Sequence, residues 1–322
     1  MKNYQNQIIA GDCIELLTKA AEPFADLVFA DPPFNIGYQY DKYHDKVDKN
    51  NYLAWTKDWM AACVRVLKPH GSFYIAIGDE YAAHVRLIGE ELGLTLRNWI
   101  IWHYTFGQQT KFKFARSHAH IFYFVKDAKQ CVFNDLAVRL PSDRQLIYKD
   151  SRANAAGKIP NDVWGEYSRV CGTFYERQGW HPCQMPELLL GRIIATSTNA
   201  SDRVLDPFSG SGTTAAAALQ LGRDYCGIEI SEEYVKNTRI RLKELHAVKH
   251  QYRLGQLDTK EYFELKRLFV EMGVSADTLM NDDKMLGYFL GQYQLRMNHD
   301  KHYDAALIKE SLKEFLAWRI GT

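Results

Sequence analysis

"VLDPFSGSGTT" (Val204–Thr214) runs from apolar residues through an acid into a glycine-rich turn, and an alanine-rich run to Leu221 follows it. A strand that ends in such a turn and restarts as a helix leaves backbone N–H groups, here Gly210 to Thr214, at the positive helix end, where they can face an anionic or polar ligand. Twenty-three positions after Asp206, Glu229 closes the next apolar run, "DYCGIEI". That is where a carboxylate binds ribose hydroxyls in nucleotide-type folds. Strand, turn, helix, strand and acid in this order predict a βαβ unit and a nucleoside-containing cofactor. No Gly-Lys-Ser/Thr follows the turn, which excludes a phosphate-binding P-loop, and Gly-x-Gly-x-x-Gly is missing, which argues against a dehydrogenase.

A second such unit lies towards the N-terminus. "NQIIAGD" near residue 8, "ADLVFADPP" from Ala25 and "GSFYIAIGD" from Gly71 read as strands covered on both faces. Between the last two, "NYLAWTKDWMAACVRVLKPHG" has helical spacing and a Pro-His-Gly turn. A helix from Tyr81 to Leu92 follows, then "TLRNWIIWHYT" and "HAHIFYFVKD", expected to be adjacent and antiparallel. After Lys129 periodicity fades into an irregular insertion, and order returns with the helix "MPELLLGRIIATST". Ser231 is expected to cap the helix "SEEYVKNTRIRLKELHAVKH". Beyond it, "TKEYFELKRLFVEMG" and "DAALIKESLKEFLAWRI" predict a small helical appendage. The expected segments are 1–129, which holds the N-terminal unit; 130–180, the irregular insertion; 181–246, which holds the glycine-rich unit; and 247–322, the appendage.

The stretch "ADPPF" (Ala30–Phe34) carries different chemistry. Pro32 and Pro33 fix φ and lack N–H groups, so the chain after Asp31 is stiff and its carbonyls are free to accept. A carboxylate on Asp31 and the Pro32 carbonyl suit the two N–H donors of an exocyclic amine, while Phe34 stacks on the attached ring. A proline turn with a capping Asp is the structural alternative.

At 322 residues and 46% hydrophobic, the chain can bury a large core. No run reaches the roughly 18 apolar residues of a membrane helix, and the start lacks a signal-peptide core, so a cytoplasmic protein is expected. The six cysteines are scattered singly, and neither a disulfide framework nor a metal site is predicted. The formal charge is +1, yet Arg97 to Arg177 holds 13 Lys+Arg against 7 Asp+Glu, while Ala247 to Thr322 has 11 of each. Attraction for phosphate therefore belongs mid-chain. Lys111, Lys113, Arg116, Arg139, Arg144, Lys149 and Arg152, with Gln108, Gln109 and Asn154, are candidate contacts to a phosphate-bearing polymer, and Tyr38 joins them. The Tyr, Phe and Leu stripes of the appendage read as core.

Taken as an ordered set, "GDCIELL", "ADPPFNIGY", "VLKPHGSFYI", "NWIIWHY", "HPCQMPELLLGRII" and "VLDPFSGSGTTAAAALQLGRDYCGIEI" resemble an amino-methylating DNA methyltransferase of the β arrangement, in which the catalytic motif precedes the cofactor motif. The resemblance spans about Ile8 to Leu245, and it would make 1–129 the catalytic half, 130–180 a target-recognition insertion and 181–246 the cofactor-binding half of a methyltransferase domain. It implies an α/β fold with a doubly wound, seven-stranded sheet in circularly permuted order, and S-adenosylmethionine as cofactor. Carried onto this chain, Asp206, Phe208, Gly210 and Gly212 would wrap the methionine part, Thr213 and Thr214 would reach its carboxylate, and Glu229 would take the ribose. Asp12, with Cys13 beside it, would take the adenine. Asp31, Pro32, Pro33 and Phe34 would be catalytic, with Asp31 also facing the cofactor. Cys183 and Met185 depart from the family's His-Pro-Thr-Gln-Lys-Pro. The implied reaction is methylation of adenine N6 in a flipped-out base of double-stranded DNA. Cytosine N4, an adenine in RNA, and a non-catalytic nucleic-acid-binding subunit are the alternatives, and Asp at position 31 leans to adenine. A homodimer and a cognate restriction enzyme complete the expected partners.

Overall fold

The computed structural model describes residues 4–37, 45–108, 110–172, 174, 176–248, 257–297 and 301–320. Strands β1 (Gln7–Ala10), β2 (Ala25–Ala30), β3 (Leu67–Ile77), β4 (Thr95–Gln108), β5 (Arg116–Val125), β6 (Val163–Trp164), β7 (Arg203–Asp206) and β8 (Asp224–Glu229) form one sheet in the order β1-β8-β7-β2-β3-β5-β4-β6. Neighbours from β1 to β3 are parallel, and β5 runs antiparallel to both β3 and β4. The sheet has eight strands where seven were expected. The extra one is a two-residue edge strand from the insertion, Val163–Trp164, pairing with Ile101 and Trp102.

All of β2 is buried, and its residues alternate between two cores. Val28 and Ala30 face one core, Leu27 and Phe29 the other, as a period of two requires. The first core is covered by α1 (Cys13–Thr18), α2 (Lys49–Val66) and α3 (Asp79–Glu91), through Leu16, Trp59 and Val85. The second is covered by α5 (Glu187–Ser197) and α6 (Thr213–Gln220), through Leu189, Ile193 and Ala217. Helices on both faces make the sheet doubly wound, and the order turns back between β7 and β2, where such sheets open a crevice.

Three features were not read from the sequence. Helix α1 has only six residues, too few for a periodic signal, and its start is set by Asp12, which accepts from the Glu15 N–H at 3.0 Å. Strand β3 begins at Leu67 and absorbs the Pro-His-Gly turn, because buried Asp26 on β2 accepts from Lys68 at 2.9 Å and pairs with His70 at 2.8 Å. The insertion contains a 3-10 turn (Asp135–Ala137) and the helix α4 (Asp143–Leu146) besides β6.

After α7 (Glu232–Val248), the helices α8 (Thr259–Met272), α9 (Ala276–Asn281), α10 (Asp283–Met297) and α11 (Ala305–Ile320) build a core of Leu265, Leu268, Phe289, Tyr293 and Leu312. The apolar stripes read as core are core. Phe263 of α8 crosses into the sheet's second core, over Gly191 of α5. A Cβ on Gly191 would stand 2.5 Å from that ring. Among the described residues, no helix is long and apolar enough to cross a membrane.

Candidate functional site

The strands β1, β8, β7 and β2 are consecutive in the sheet, and each ends in or just before an acid. Asp12, Glu229, Asp206 and Asp31 consequently converge on one cleft of about 470 Å³. Pairing of Ala10 with Glu229 and of Leu205 with Cys226 sets the level of these strand ends.

Glu229 is held by its backbone neighbours: one carboxylate oxygen accepts from the Gly210 N–H and the other from the Ser231 N–H, both at 2.9 Å. The two bonds fix the plane of the carboxylate at the end of β8. Asp206 accepts from the Phe208 N–H at 2.9 Å and from the Thr214 hydroxyl at 2.5 Å. The Thr214 hydroxyl thus serves Asp206. The Thr213 hydroxyl accepts from Arg241 at 3.2 Å. Gly212 has φ +75, and a Cβ there would lie 2.2 Å from Thr238. Only glycine fits. Of the N–H groups in this turn, Gly210's goes to Glu229 and Gly212's to the Ser209 carbonyl at 2.7 Å. Those of Ser211, Thr213 and Thr214 find no acceptor among the described residues.

At the other end of the cleft, the Asp31 carboxylate and the Pro32 carbonyl accept no hydrogen bond among the described residues. Among the described residues Asp31 therefore caps nothing. The Pro33 carbonyl is different: it accepts from the Tyr52 hydroxyl at 2.6 Å. Beyond Phe34 the chain is tied down by buried Asp45, which accepts from the N–H groups of Asn35 at 2.6 Å and Ile36 at 3.2 Å. The Phe34 ring lies against Gly78, where a Cβ would approach it to 3.3 Å. Phe208 is braced edge-on by Trp59, centroids 5.1 Å apart, and tilted against Trp55 at 5.7 Å.

Burial pushes the Asp31 carboxyl up to about 7; the charge of Asp206 adds to this and Arg169 opposes it. Burial likewise pushes Asp206 up to about 7, against the bonds from Thr214 and Phe208. A cation bound beside these two carboxyls would favour their ionised forms. Cys13 lines the same cleft, its thiol pushed up to about 12 by burial, which leaves it an inert wall. Among the described residues, no group of three or more His, Cys, Asp or Glu could hold a metal ion.

All the expected catalytic and cofactor residues line this cleft except Gly212, which shapes the turn from beneath. The expected DNA contacts divide. Arg116 lines the cleft mouth and pairs with Asp79. Lys111 and Lys113 sit exposed between β4 and β5. Arg139, Arg144 and Arg152 do not line the cleft. Arg139 instead ties Asp135 to the Gly157 carbonyl, each at 2.7 Å, and Arg152 forks onto Asp150 at 3.0 Å. Tyr38 and Gln109 lie outside the described residues. Sequence reasoning missed Trp55, Tyr104, Arg169, His181 and Tyr234, which also line the cleft. Trp55 sits on an amphipathic helix where an aromatic signals only core. Arg169, whose guanidinium stacks 5.1 Å from the Tyr104 centroid, comes from the aperiodic insertion and had no signal.

The family described as DNA methylase (N6_N4_Mtase) matches residues 25–239. The chain is 37% identical over 237 residues to the type II methyltransferase M.HpaI of Haemophilus parainfluenzae, covering 73% of this chain and 74% of that one. It is 39% identical over 244 residues to the DNA adenine methyltransferase YhdJ of Escherichia coli (strain K12), covering 73% and 81%. The fold is shared with the M1.HpyAVI–SAM complex, at TM-score 0.54 and 24% identity over 73% of this chain and 98% of that one. It is shared also with the cytosine-N4-specific PvuII DNA methyltransferase, at TM-score 0.56 and 20% identity over 83% and 93%.

Proposed function

Because this chain belongs to the DNA methylase family, we propose that it transfers a methyl group from S-adenosylmethionine to the N6 amino group of an adenine flipped out of duplex DNA, as an enzyme of the β arrangement. The observation that carries this reading is the pair of acceptors that no described residue engages, the Asp31 carboxylate and the Pro32 carbonyl, beside Phe34 in a cleft that also holds Asp12, Asp206 and Glu229.

The residues suit the cofactor. Glu229, with its carboxylate fixed by Gly210 and Ser231, would accept from the ribose hydroxyls, and Asp12, beside Cys13, from the adenine amine. Asp206 and Phe208 would flank the methionine part, and the open N–H groups of Ser211, Thr213 and Thr214 would receive its carboxylate. When bound, the cofactor supplies a methyl group on a sulfonium cation.

Adenine's amino nitrogen is a weak nucleophile because its lone pair is delocalised into the ring. Asp31 and the Pro32 carbonyl would each accept one N–H, favouring a pyramidal nitrogen whose lone pair points at the methyl group. Orientation and electrostatics then supply the catalysis. Phe34 stacks on the extruded base, contributing roughly 1–3 kcal/mol towards the cost of extrusion. A carboxylate poised near 7 is also matched to take the proton that the methylated nitrogen sheds.

Purified protein given labelled S-adenosylmethionine is expected to methylate duplex DNA, and Asp31→Ala to abolish turnover while leaving cofactor binding largely in place. Undiminished activity in that variant would remove Asp31 from the chemistry. Mass spectrometry of the product nucleosides separates N6-methyladenine, the expected product, from N4-methylcytosine, which the same acceptor pair could also serve. Sequencing of the treated DNA then identifies the methylated site.

A further inference from the structure

Between β4 and β5 the chain turns through "TKFKFA" (Thr110–Ala115), in which lysines alternate with phenylalanines. The Thr110 hydroxyl donates to the Lys113 carbonyl and closes the turn. Phe112 is 99% exposed and Phe114 100%, while every other exposed large hydrophobic side chain described is at most 73% exposed. A soluble surface tolerates scattered apolar residues, but two aromatic rings held wholly in water on one tight turn gain nothing from the fold and await a partner.

The position of the turn indicates which partner. It caps two strands that wall the cleft: Tyr104 lines it from β4, and Arg116 and His118 line it from β5. Phe34 and Arg116 both lie within 4 Å of where a Cβ on Gly78 would stand, so the root of the turn adjoins the place proposed for the extruded base. Neither Lys111 nor Lys113 has an acidic partner among the described residues, whereas Arg116 is paired with Asp79. Unpaired cations alternating with exposed rings match a polyanion with stacked bases: the ammonium groups take phosphates and the rings enter between base steps. Flipping one nucleotide opens a gap in the stack, and a ring inserted there recovers stacking the duplex has lost.

We infer that Phe112 and Phe114 form a wedge that enters the duplex beside the extruded base and closes the gap, while Lys111 and Lys113 hold the flanking phosphates; the inference rests on the base-flipping methyl transfer proposed above. Both rings are outside the packed core, so their removal leaves the fold intact.

The test uses the full chain, with Phe112→Ala, Phe114→Ala and the double variant. Two oligonucleotide duplexes carry the site found by sequencing, one with the target base paired and one with it opposite an abasic position. On the paired duplex, kcat/KM of the double variant is expected to fall about ten- to hundred-fold, the loss of one to two stacking contacts. On the duplex whose target is already unpaired, activity is retained, and cofactor affinity is unchanged in both cases. Loss on both duplexes alike, or on neither, overturns the wedge while wild-type transfer still stands. A dimer that dissociates in the double variant with transfer unaffected assigns the rings to a second copy of the chain and overturns it too. Failure of the wild-type protein to methylate any DNA overturns the base-flipping reading itself, and the wedge with it.

Discussion

At the scale of single residues, the cleft's electrostatics make a prediction that differs from a plain binding pocket. Asp31 and Asp206 are both pushed up to about 7 by burial, so near neutral pH each is partly protonated. A cationic ligand favours the ionised carboxylates, and its binding must therefore expel protons. Affinity for S-adenosylmethionine is expected to rise as pH increases through about 7 and to level off above it, with a limiting slope of about tenfold per pH unit for each proton expelled. Calorimetric titration in buffers of different ionisation enthalpy measures that proton release directly. Asp206→Asn should lower the limiting slope to the part that Asp31 contributes, and an affinity independent of pH between 6 and 8 in the unmodified protein would contradict the account. The identities of these acids were legible in the sequence. Their raised pKa values were not, because burial depends on what the fold stacks over each carboxylate.

At the scale of elements, the insertion, α5, α8 and α10 meet on one buried carboxylate. Glu271 of α8 accepts from Arg267 at 2.9 Å, Arg296 at 2.5 Å, Arg192 at 3.1 Å and the Tyr167 hydroxyl at 2.5 Å. Burial alone would push its carboxyl up, but the charges of Arg192, Arg267 and Arg296 hold it well below the ordinary carboxylate range. The sign follows: this stabilisation is complete above the ordinary glutamate value and fades only as pH falls below it. Glu271→Ala would leave buried guanidinium groups without their shared counter-charge, and a loss of about 3–5 kcal/mol is expected in chemical denaturation at neutral pH. A loss under 1 kcal/mol would mean that Glu264 and Glu166 suffice as partners. In the sequence, Glu271 is one acid among charges that sum to zero over Ala247 to Thr322. Its partners come from four separate elements, so no spacing rule could single it out.

At the scale of the whole molecule, the C-terminal helices are built into the body. Phe263 lies in the sheet's second core, Arg267 donates to the Ala137 carbonyl at 2.6 Å, and Gln292 and Tyr288 donate to the insertion at Ala156 and Gln145, each at 3.2 Å. Removal of residues 249–322 is therefore expected to yield a protein that aggregates or melts without a cooperative transition, checked by circular dichroism and gel filtration, even though every residue of the candidate cleft would remain. A soluble, cooperatively melting 1–248 fragment that still binds S-adenosylmethionine would show the two parts to be independent.

From the sequence alone came the two βαβ units, the antiparallel pair of aromatic strands, the acids at the strand ends and the glycines of the turn. Each of these is a local pattern: a period of two or 3.6, a residue that alone permits a given φ, an acid at a fixed distance after an apolar run. Tertiary structure decided the rest. It placed Asp31 and Asp206 in one cleft on adjacent strands, committed the Thr214 hydroxyl and the Gly210 N–H to protein partners, and turned Arg139 into a strut of the insertion. It also brought Arg169 into the same cleft as Asp31 and left Phe112 and Phe114 in water. The physical reason is the same throughout: hydrogen bonding, burial and charge pairing join residues far apart in the chain, and only packing determines which of them meet.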